Sequence, residues 1–393
     1  MPDAGSTPRI TNDLEAALPR AVRLEVDERV IKPGFRGGPE GYGSAYQHHA
    51  QLAFDGSRVY ASFSEGDRDE DQLGQRMMLM TSDDLGLNWS NPRPVLDRQP
   101  GRFGHSVVTA EGIHAAPDGT LTAYAGHYDR TYEDQLMFYA SGGNGNLANS
   151  DFPSYTDVHT RVLESRDRGE TWREVNRIPD FQPNLGPAPL ASGRLILPGM
   201  CTFRYTDDPT GRAGWRWAGL PRLPPGFRDD PEGYHFAARA RGDADSHEEA
   251  SFFQTDDGVI HMMLRTPRHR LAVTRSRDDG ETWSEPETTD YTDANSRHHF
   301  GRLPDGRCFG LSTPMPRSPR TPLVLAVSED GVRFDRHFVV GDAPNRLARL
   351  PGVHKYGRYG YPHLLIARGT ALVIYCINKE DLAVAAFDPA ALQ

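Results

Sequence analysis

The side chains able to do chemistry lie far apart along this chain. Eight of its 15 histidines stand out: His48, His49, His105, His127, His247, His298, His299 and His363. Arg204, Arg265, Glu249, Tyr205 and Tyr361 join them. Histidine works as acid or base near neutral pH. Arginine grips a carboxylate through two parallel hydrogen bonds. Tyrosine protonates a leaving oxygen, or removes a proton once its pKa is lowered. Such a set suits an anionic ligand, and a carboxylated sugar is the natural substrate class. Singly, each of these residues would be an ordinary structural one. Their chemistry depends on elements that bring them to one place.

Those elements are hairpins. The stretch Ser276-Arg-Asp-Asp-Gly-Glu-Thr-Trp283 has a close relative in Ser165-Arg-Asp-Arg-Gly-Glu-Thr-Trp172. Weaker copies stand at Ser82–Trp89 and Ser328–Phe334. Ser and Asp side chains accept hydrogen bonds from backbone N–H groups in a tight turn. Glycine takes a positive φ. The aromatic ring buries against the sheet. A second series of turns, at Asp55-Gly-Ser57, Asp118-Gly-Thr120, Ser192-Gly-Arg194, Asp256-Asp-Gly258, Asp305-Gly-Arg307 and Arg368-Gly-Thr370, joins apolar strands. Together they predict an all-β chain, a β-propeller with six countable blades of four antiparallel strands. The first, second, fourth and fifth blades carry the Ser-x-Asp frame between strands three and four. Val22–Ile31 is expected to pair with Leu382–Phe387 and complete the last blade. A seventh blade arises only if that pairing forms a sheet of its own.

The frame resembles the Asp-box of the sialidase superfamily, in which the boxes lie on the face away from the active site. Tyr46–Phe54, Ala61–Gly66, Glu70–Arg76, Lys355–His363 and Asn378–Asp381 look like segments of sialidase-like propellers that act on rhamnose–glucuronate linkages. Those are the rhamnose–glucuronate lyases, the related rhamnosidases and, more distantly, the ulvan lyases. The lyase resemblance implies β-elimination. His105 and His127 match its histidine pair and Arg204 its arginine; Tyr205, Tyr128 or Tyr155 is its tyrosine. Arg204 and a histidine would neutralise the uronate carboxylate, and a histidine or tyrosine would take the C5 proton.

A true sialidase would use other residues: Glu249 polarising Tyr361 as nucleophile, and three arginines on the carboxylate. Arg265 stands where the second arginine belongs, Arg317 and Arg320 are candidates for the third, and Phe35-Arg-Gly-Gly38 replaces the usual Arg-Ile-Pro. A rhamnosyl-glucuronate hydrolase would use His48 or His49. A non-catalytic glycan-binding propeller needs no such convergence.

Propeller geometry gathers these residues at one rim. Inner strands begin at Tyr46–His49, Gly104-His105, Leu185–Pro187, Ser246–Glu249, Arg297–Phe300 and Tyr361–His363. Second strands end at Glu65–Asp67, His127-Tyr128, Arg204-Tyr205, Arg265, Pro314–Arg317 and Asn378–Glu380. The leading expectation is a lyase with His105, His127, Arg204 and Tyr205 catalytic. Arg265, His247, Glu249, His299, Tyr361 and His49 then contact substrate. The bland alternative is a polar funnel filled with water. No metal and no cofactor is expected. His48-His49 and His298-His299 are adjacent, and neighbouring strand residues point to opposite faces, so one of each pair at most faces the funnel.

The remaining numbers exclude other classes. Net charge is −10, with acidic and basic residues mixed and no basic stripe, so nucleic acid is not an expected partner. Cys201, Cys308 and Cys376 have no CxxC spacing. With 39 glycines and 31 prolines, the composition suits short strands and turns. One domain spans 1–393, with an N-terminal extension over 1–20 and long insertions at 132–157 and 206–245. A helical pattern is confined to Asn12–Leu18. No leader-like or membrane-length apolar run occurs, so a cytoplasmic protein without membrane contact is expected.

Overall fold

The computed structural model describes residues 8–35, 43–130, 155–199, 202–218, 248–350, 352 and 354–393. Alternating and fully apolar runs become strands, and the strands form six sheets around one axis. From the inner strand outward, the first blade is Tyr46–Phe54, Val59–Gly66, Arg76–Ser82 and Arg93–Leu96. The second is Val107–Ala115, Leu121–Arg130, Tyr155–Ser165 and Arg173–Pro179. The third has shorter strands: Ala188–Pro189, Leu195–Pro198, Phe203–Thr206 and Arg216–Trp217. The fourth is Glu248–Gln254, Ile260–Arg265, Arg270–Ser276 and Glu287–Thr292. The fifth is His299–Arg302, Cys308–Ser312, Leu323–Ser328 and Arg336–Gly341. The sixth is Gly360–Ala367, Thr370–Ile377 and Asp381–Phe387, closed by Asp27–Lys32.

Ring closure follows the expectation in part. Asp27–Lys32 pairs antiparallel with Asp381–Phe387, and no seventh blade forms among the described residues. Val22–Arg23 instead joins the fifth blade, parallel to Arg336–Gly341. One expected strand is thus two, because the chain crosses from one blade edge to the next at Leu24–Val26. Leu24 and Val26 pack against the core between those blades. Among the described residues, helix is limited to Leu14–Ala17 and 3-10 turns at Leu18–Arg20 and Pro389–Leu392. Among the described residues no helix is long and apolar enough to cross a membrane.

Buried side chains fall into six clusters, one at each blade–blade interface. The Asp-boxes anchor the outer edges. Ser276 Oγ accepts from Gly280 N at 2.9 Å, and Asp278 Oδ1 accepts from Thr282 N at 2.9 Å. Trp283 donates to Gly280 O at 3.1 Å and is buried. Gly280 has φ +85°, and a Cβ there would lie 2.5 Å from Ile196 Cδ1, so any other residue would strain the backbone and displace the Ile196 side chain. Ser165, Ser82 and Ser328 make the same bond to Gly169, Gly86 and Gly331.

The third blade carries a stretched box that the sequence frame misses. Thr206 Oγ1 accepts from Asp208 N at 3.1 Å, and Trp215 donates to Gly211 O at 3.0 Å. Extra residues between Asp208 and Gly211, and between Gly211 and Trp215, hide it from a fixed spacing. Of the two long insertions, only 155–157 and 206–218 lie within the described residues.

Candidate active site

Three inner strands break their ladders at the same level of the axis. Register shifts fall between His48 and Gln51, between Glu248 and Ala250, and between Gly360 and His363. A bulge re-aims the extra residue, and here the extra residues include His49, Glu249 and Tyr361. His49 and Tyr361 adopt φ of 55° and 53°, a left-handed conformation costly for bulky side chains. The strain is spent on presenting these groups to the funnel.

Around Tyr361 the geometry is tight. Arg265 Nη1 lies 2.6 Å from Glu249 Oε2 and donates to Tyr361 Oη at 3.2 Å. Arg265 Nε donates to Asn295 Oδ1 at 2.7 Å. The Arg297 guanidinium is 4.5 Å from the centre of the Tyr361 ring, and that of Arg320 is 5.3 Å away. The His48 ring lies 4.0 Å from that ring and the His49 ring 5.4 Å. Burial pushes the Tyr361 phenol well above its usual range, and the Glu249 charge adds to this. Burial alone would raise the Glu249 carboxyl too. Arg265, Arg297 and a hydrogen bond from Tyr361 overcome that and hold it at about 2. At neutral pH the pair is a carboxylate beside a neutral phenol.

Glu70 and Lys379 form the opposite wall, 2.5 Å apart. Burial would raise Glu70, but Lys379 holds it well below the usual carboxylate range. His48 Nδ1 faces Cys376 Sγ at 2.8 Å and His49 Nδ1 faces Ser64 Oγ at 3.0 Å. Their Nε2 atoms lie 3.7 and 3.9 Å from Glu70 Oε1. The adjacent histidines therefore share one environment, against the expectation from strand alternation, because the bulge at His49 cancels the alternation. His48, His49 and Glu70 have a spacing compatible with a metal ion. Burial depresses His48 most, and the cations Lys379, Arg320 and Arg297 add to it; those cations oppose a further positive charge there.

Arg297 and Arg320 carry the decisive feature. Arg297 is 1% exposed and Arg320 2%. Arg297 Nη1 donates to Asn184 O at 2.6 Å and Arg320 Nη2 to Tyr356 Oη at 3.3 Å. Nε and Nη2 of Arg297, and Nε and Nη1 of Arg320, are buried without a hydrogen-bond partner among the described residues. Buried charged donors left unpaired are costly. Arg317 is exposed instead. Among the described residues, the site thus pairs Glu249 with Arg265 and Glu70 with Lys379, and leaves two guanidiniums with unpartnered donors.

The four residues expected to catalyse elimination do not meet in this funnel. His127 lies on the second blade, its ring stacked 4.5 Å from that of His159. His127, His159 and Asp157 form a second group with metal-compatible spacing. Arg204 donates to Pro179 O at 3.3 Å and lies 3.1 Å from the Trp217 ring. Arg204 and Tyr205 begin the third strand of their blade rather than ending the second, and they point to opposite faces. Tyr205 is flanked by Arg194 and Arg216, each 4.7 Å away. His105 sits on a small ribbon, Pro100–Gly101 against Gly104–His105, outside the inner strand. His298 turns away to face Met263 O at 3.2 Å, and His299 lies deeper on the axis. His247 and Arg36 lie outside the described residues. The sequence pattern did not single out Glu70, Lys379, Arg297 or Tyr356 for chemistry. Their signal was position alone, at strand ends or in the loops that follow.

Fold and repeats define a propeller of the sialidase superfamily. The BNR repeat-like domain matches residues 127–374, and the chain belongs to that family. An intramolecular trans-sialidase from Ruminococcus gnavus superposes with a TM-score of 0.65 at 15% identity, over 92% of this chain and 98% of that one. A protein of unknown function from Dyadobacter fermentans gives 0.58 at 15% identity, over 92% and 99%. A Trypanosoma rangeli sialidase mutant displaying trans-sialidase activity gives 0.60 at 14% identity; this chain is covered to 93% but spans only 60% of that one. These likenesses are ones of fold. No curated protein matches the chain in sequence.

Proposed function

We propose that this protein is a glycosidase for a carboxylated sugar, with Tyr361 as nucleophile. The observation that carries this reading is the pair of buried, unpartnered guanidiniums, Arg297 and Arg320, on either side of the Tyr361–Glu249–Arg265 group. A substrate carboxylate would satisfy their free donors and bring the anomeric carbon over Tyr361 Oη. A neutral phenol suits this task, because a carboxylate nucleophile would be repelled by the substrate's own charge. As the Tyr361 Oη–carbon bond forms, the glycosidic C–O bond breaks: the phenol proton passes to Glu249, the leaving oxygen takes a proton from solvent, and Arg265 stabilises the charge that moves. Water then cleaves the tyrosyl adduct, its hydroxyl staying on the sugar and its proton returning to solvent, while Glu249 gives the phenol its proton back. His49, Glu70 and Lys379 face the leaving group. Support also comes from the Ruminococcus gnavus relative, which was crystallised with oseltamivir carboxylate.

The second reading is elimination at a rhamnose–uronate linkage, as the resemblance implies. In its favour, His127 Nδ1 and His159 Nε2 are buried and unpartnered, and burial keeps His127 at about 4, neutral and able to act as a base. Against it, Arg204 and Tyr205 face apart.

One experiment separates the two. The protein is incubated with sialyl-lactose and with rhamnose–glucuronate oligosaccharides. Release of free sugar acid is followed beside ultraviolet absorbance of an unsaturated uronate. The glycosidase reading expects hydrolysis without absorbance, loss of at least a thousandfold in kcat for Tyr361→Phe, and an adduct on Tyr361 with a fluorinated glycosyl fluoride. Rising absorbance that is abolished by His127→Ala but not by Tyr361→Phe would overturn it in favour of elimination.

A further inference from the structure

The axis has a second mouth. The inner strands that begin at His49, Glu249 and Tyr361 end around a cavity of about 350 Å3, on the side of the strand one–two turns. Its walls include Leu52, Phe54, Ile113, Leu185, Phe252 and Leu365. Among the described residues, no Asp, Glu, Lys or Arg side chain lines it. Arg297 separates this cavity from the Tyr361 mouth: its guanidinium packs on Tyr361, and its charge is felt at both His299 and His363.

Gln51, His114 and Ser251 also line the cavity but bond backbone groups; His299 and His363 leave a polar atom for a ligand. Their rings stack 4.1 Å apart at 12°. His299 Nδ1 accepts from Leu364 N at 3.0 Å, and His363 Nδ1 accepts from Leu52 N at 3.4 Å. An imidazole nitrogen that accepts carries no proton. Both rings are therefore neutral, and in both the proton sits on Nε2. Neither Nε2 bonds a protein group among the described residues, yet neither is fully buried. Each ring borders the cavity. The result is two fixed donors in an uncharged chamber of mixed polar and apolar walls, within the size range of small-molecule sites.

We propose that this cavity is a second ligand site, for a compact uncharged molecule that offers a carbonyl or ether oxygen to the His299–His363 pair and an apolar ring face to Leu52, Phe252 and Leu365. Its chemistry is opposite to that of the Tyr361 mouth, where buried arginines await an anion. The proposal does not depend on the reaction assigned to Tyr361.

The test uses the full chain and benzamide, a neutral ring bearing a carbonyl, in calorimetric titration with saturation-transfer NMR. Saturable one-site binding is expected. Leu365→Trp should fill the cavity and weaken that binding at least tenfold, with turnover at the Tyr361 mouth unchanged. His299→Phe should keep the volume, remove one donor and also weaken binding tenfold. Absence of saturable binding, or binding indifferent to both substitutions, would overturn the proposal and leave the cavity a solvent-filled vestibule. If Leu365→Trp fails to fold, His299→Phe alone decides.

Discussion

Arg320 tests the anion site most directly, because its free donors contribute nothing to the folded protein without a partner. Charge-assisted hydrogen bonds are worth about 1.5–3 kcal/mol each. Arg320→Met should therefore raise KM for a carboxylated glycan roughly ten- to hundredfold, with a smaller change for a neutral analogue. Thermal stability should hold or rise. Equal losses for charged and neutral substrates would remove Arg320 from carboxylate binding. Glu111 is a second residue-scale case. It is buried near Arg297, and burial pushes its carboxyl from 4.5 up to about 7. A raised carboxyl is protonated in the folded chain where the unfolded chain is ionised. Stability is full below pH 4.5 and is lost as pH rises toward 7, by about 1.4 kcal/mol per pH unit. Glu111→Gln should flatten that slope and add roughly 3 kcal/mol at pH 8. A denaturation series from pH 4.5 to 8 that is identical for both proteins would refute the assignment.

At the scale of elements, two of the Asp-boxes, those of Trp283 and Trp89, differ in burial more than in hydrogen bonding. Trp283 is 5% exposed and packs edge-on against Phe203 at 4.9 Å. Trp89 makes the same bond to its glycine carbonyl, at 3.0 Å, but is only half-buried. Trp283→Ala should cost about 3–5 kcal/mol and Trp89→Ala clearly less. Chemical denaturation of both variants reads the difference directly; equal losses would mean that the turn bond, not burial, sets the contribution. The bulges matter in another way. They keep His49, Glu249 and Tyr361 out of regular register, where period-two alternation would turn some of them into the sheet.

The whole molecule is a ring, and a ring must be closed. Asp27–Lys32 joins the two ends of the chain by pairing with Asp381–Phe387. Lys32 adds an ion pair to Glu65 of the first blade at 3.3 Å. Removal of residues 1–32 should leave the strand Asp381–Phe387 with an unpaired edge. Amide exchange there should rise by orders of magnitude, and the Tyr361 site, built from the first, fourth, fifth and sixth blades, should lose ligand binding. Retained protection in the shortened chain would show that the sixth blade is stable on three strands.

By itself the sequence determined six countable blades and their turns; that Asp27–Lys32 closes the sixth blade instead of opening a seventh was decided by pairing. Turn chemistry is local: Ser276, Asp278 and Gly280 bond within one another's reach whatever the rest of the chain does. It also placed Glu249, Arg265 and Tyr361 at strand ends, because a repeat with known geometry carries position with it. The tertiary structure alone decided which of the many histidines and arginines meet. His48 and His49 share Glu70 because one residue takes a positive φ, and no spacing announces that. Arg297 and Arg320 converge on Tyr361 from different segments, through packing summed over the closed ring. Arg204 and Tyr205 part because they are neighbours in one strand and strand neighbours point to opposite faces; that they open the third strand instead of ending the second is settled by pairing with neighbouring strands.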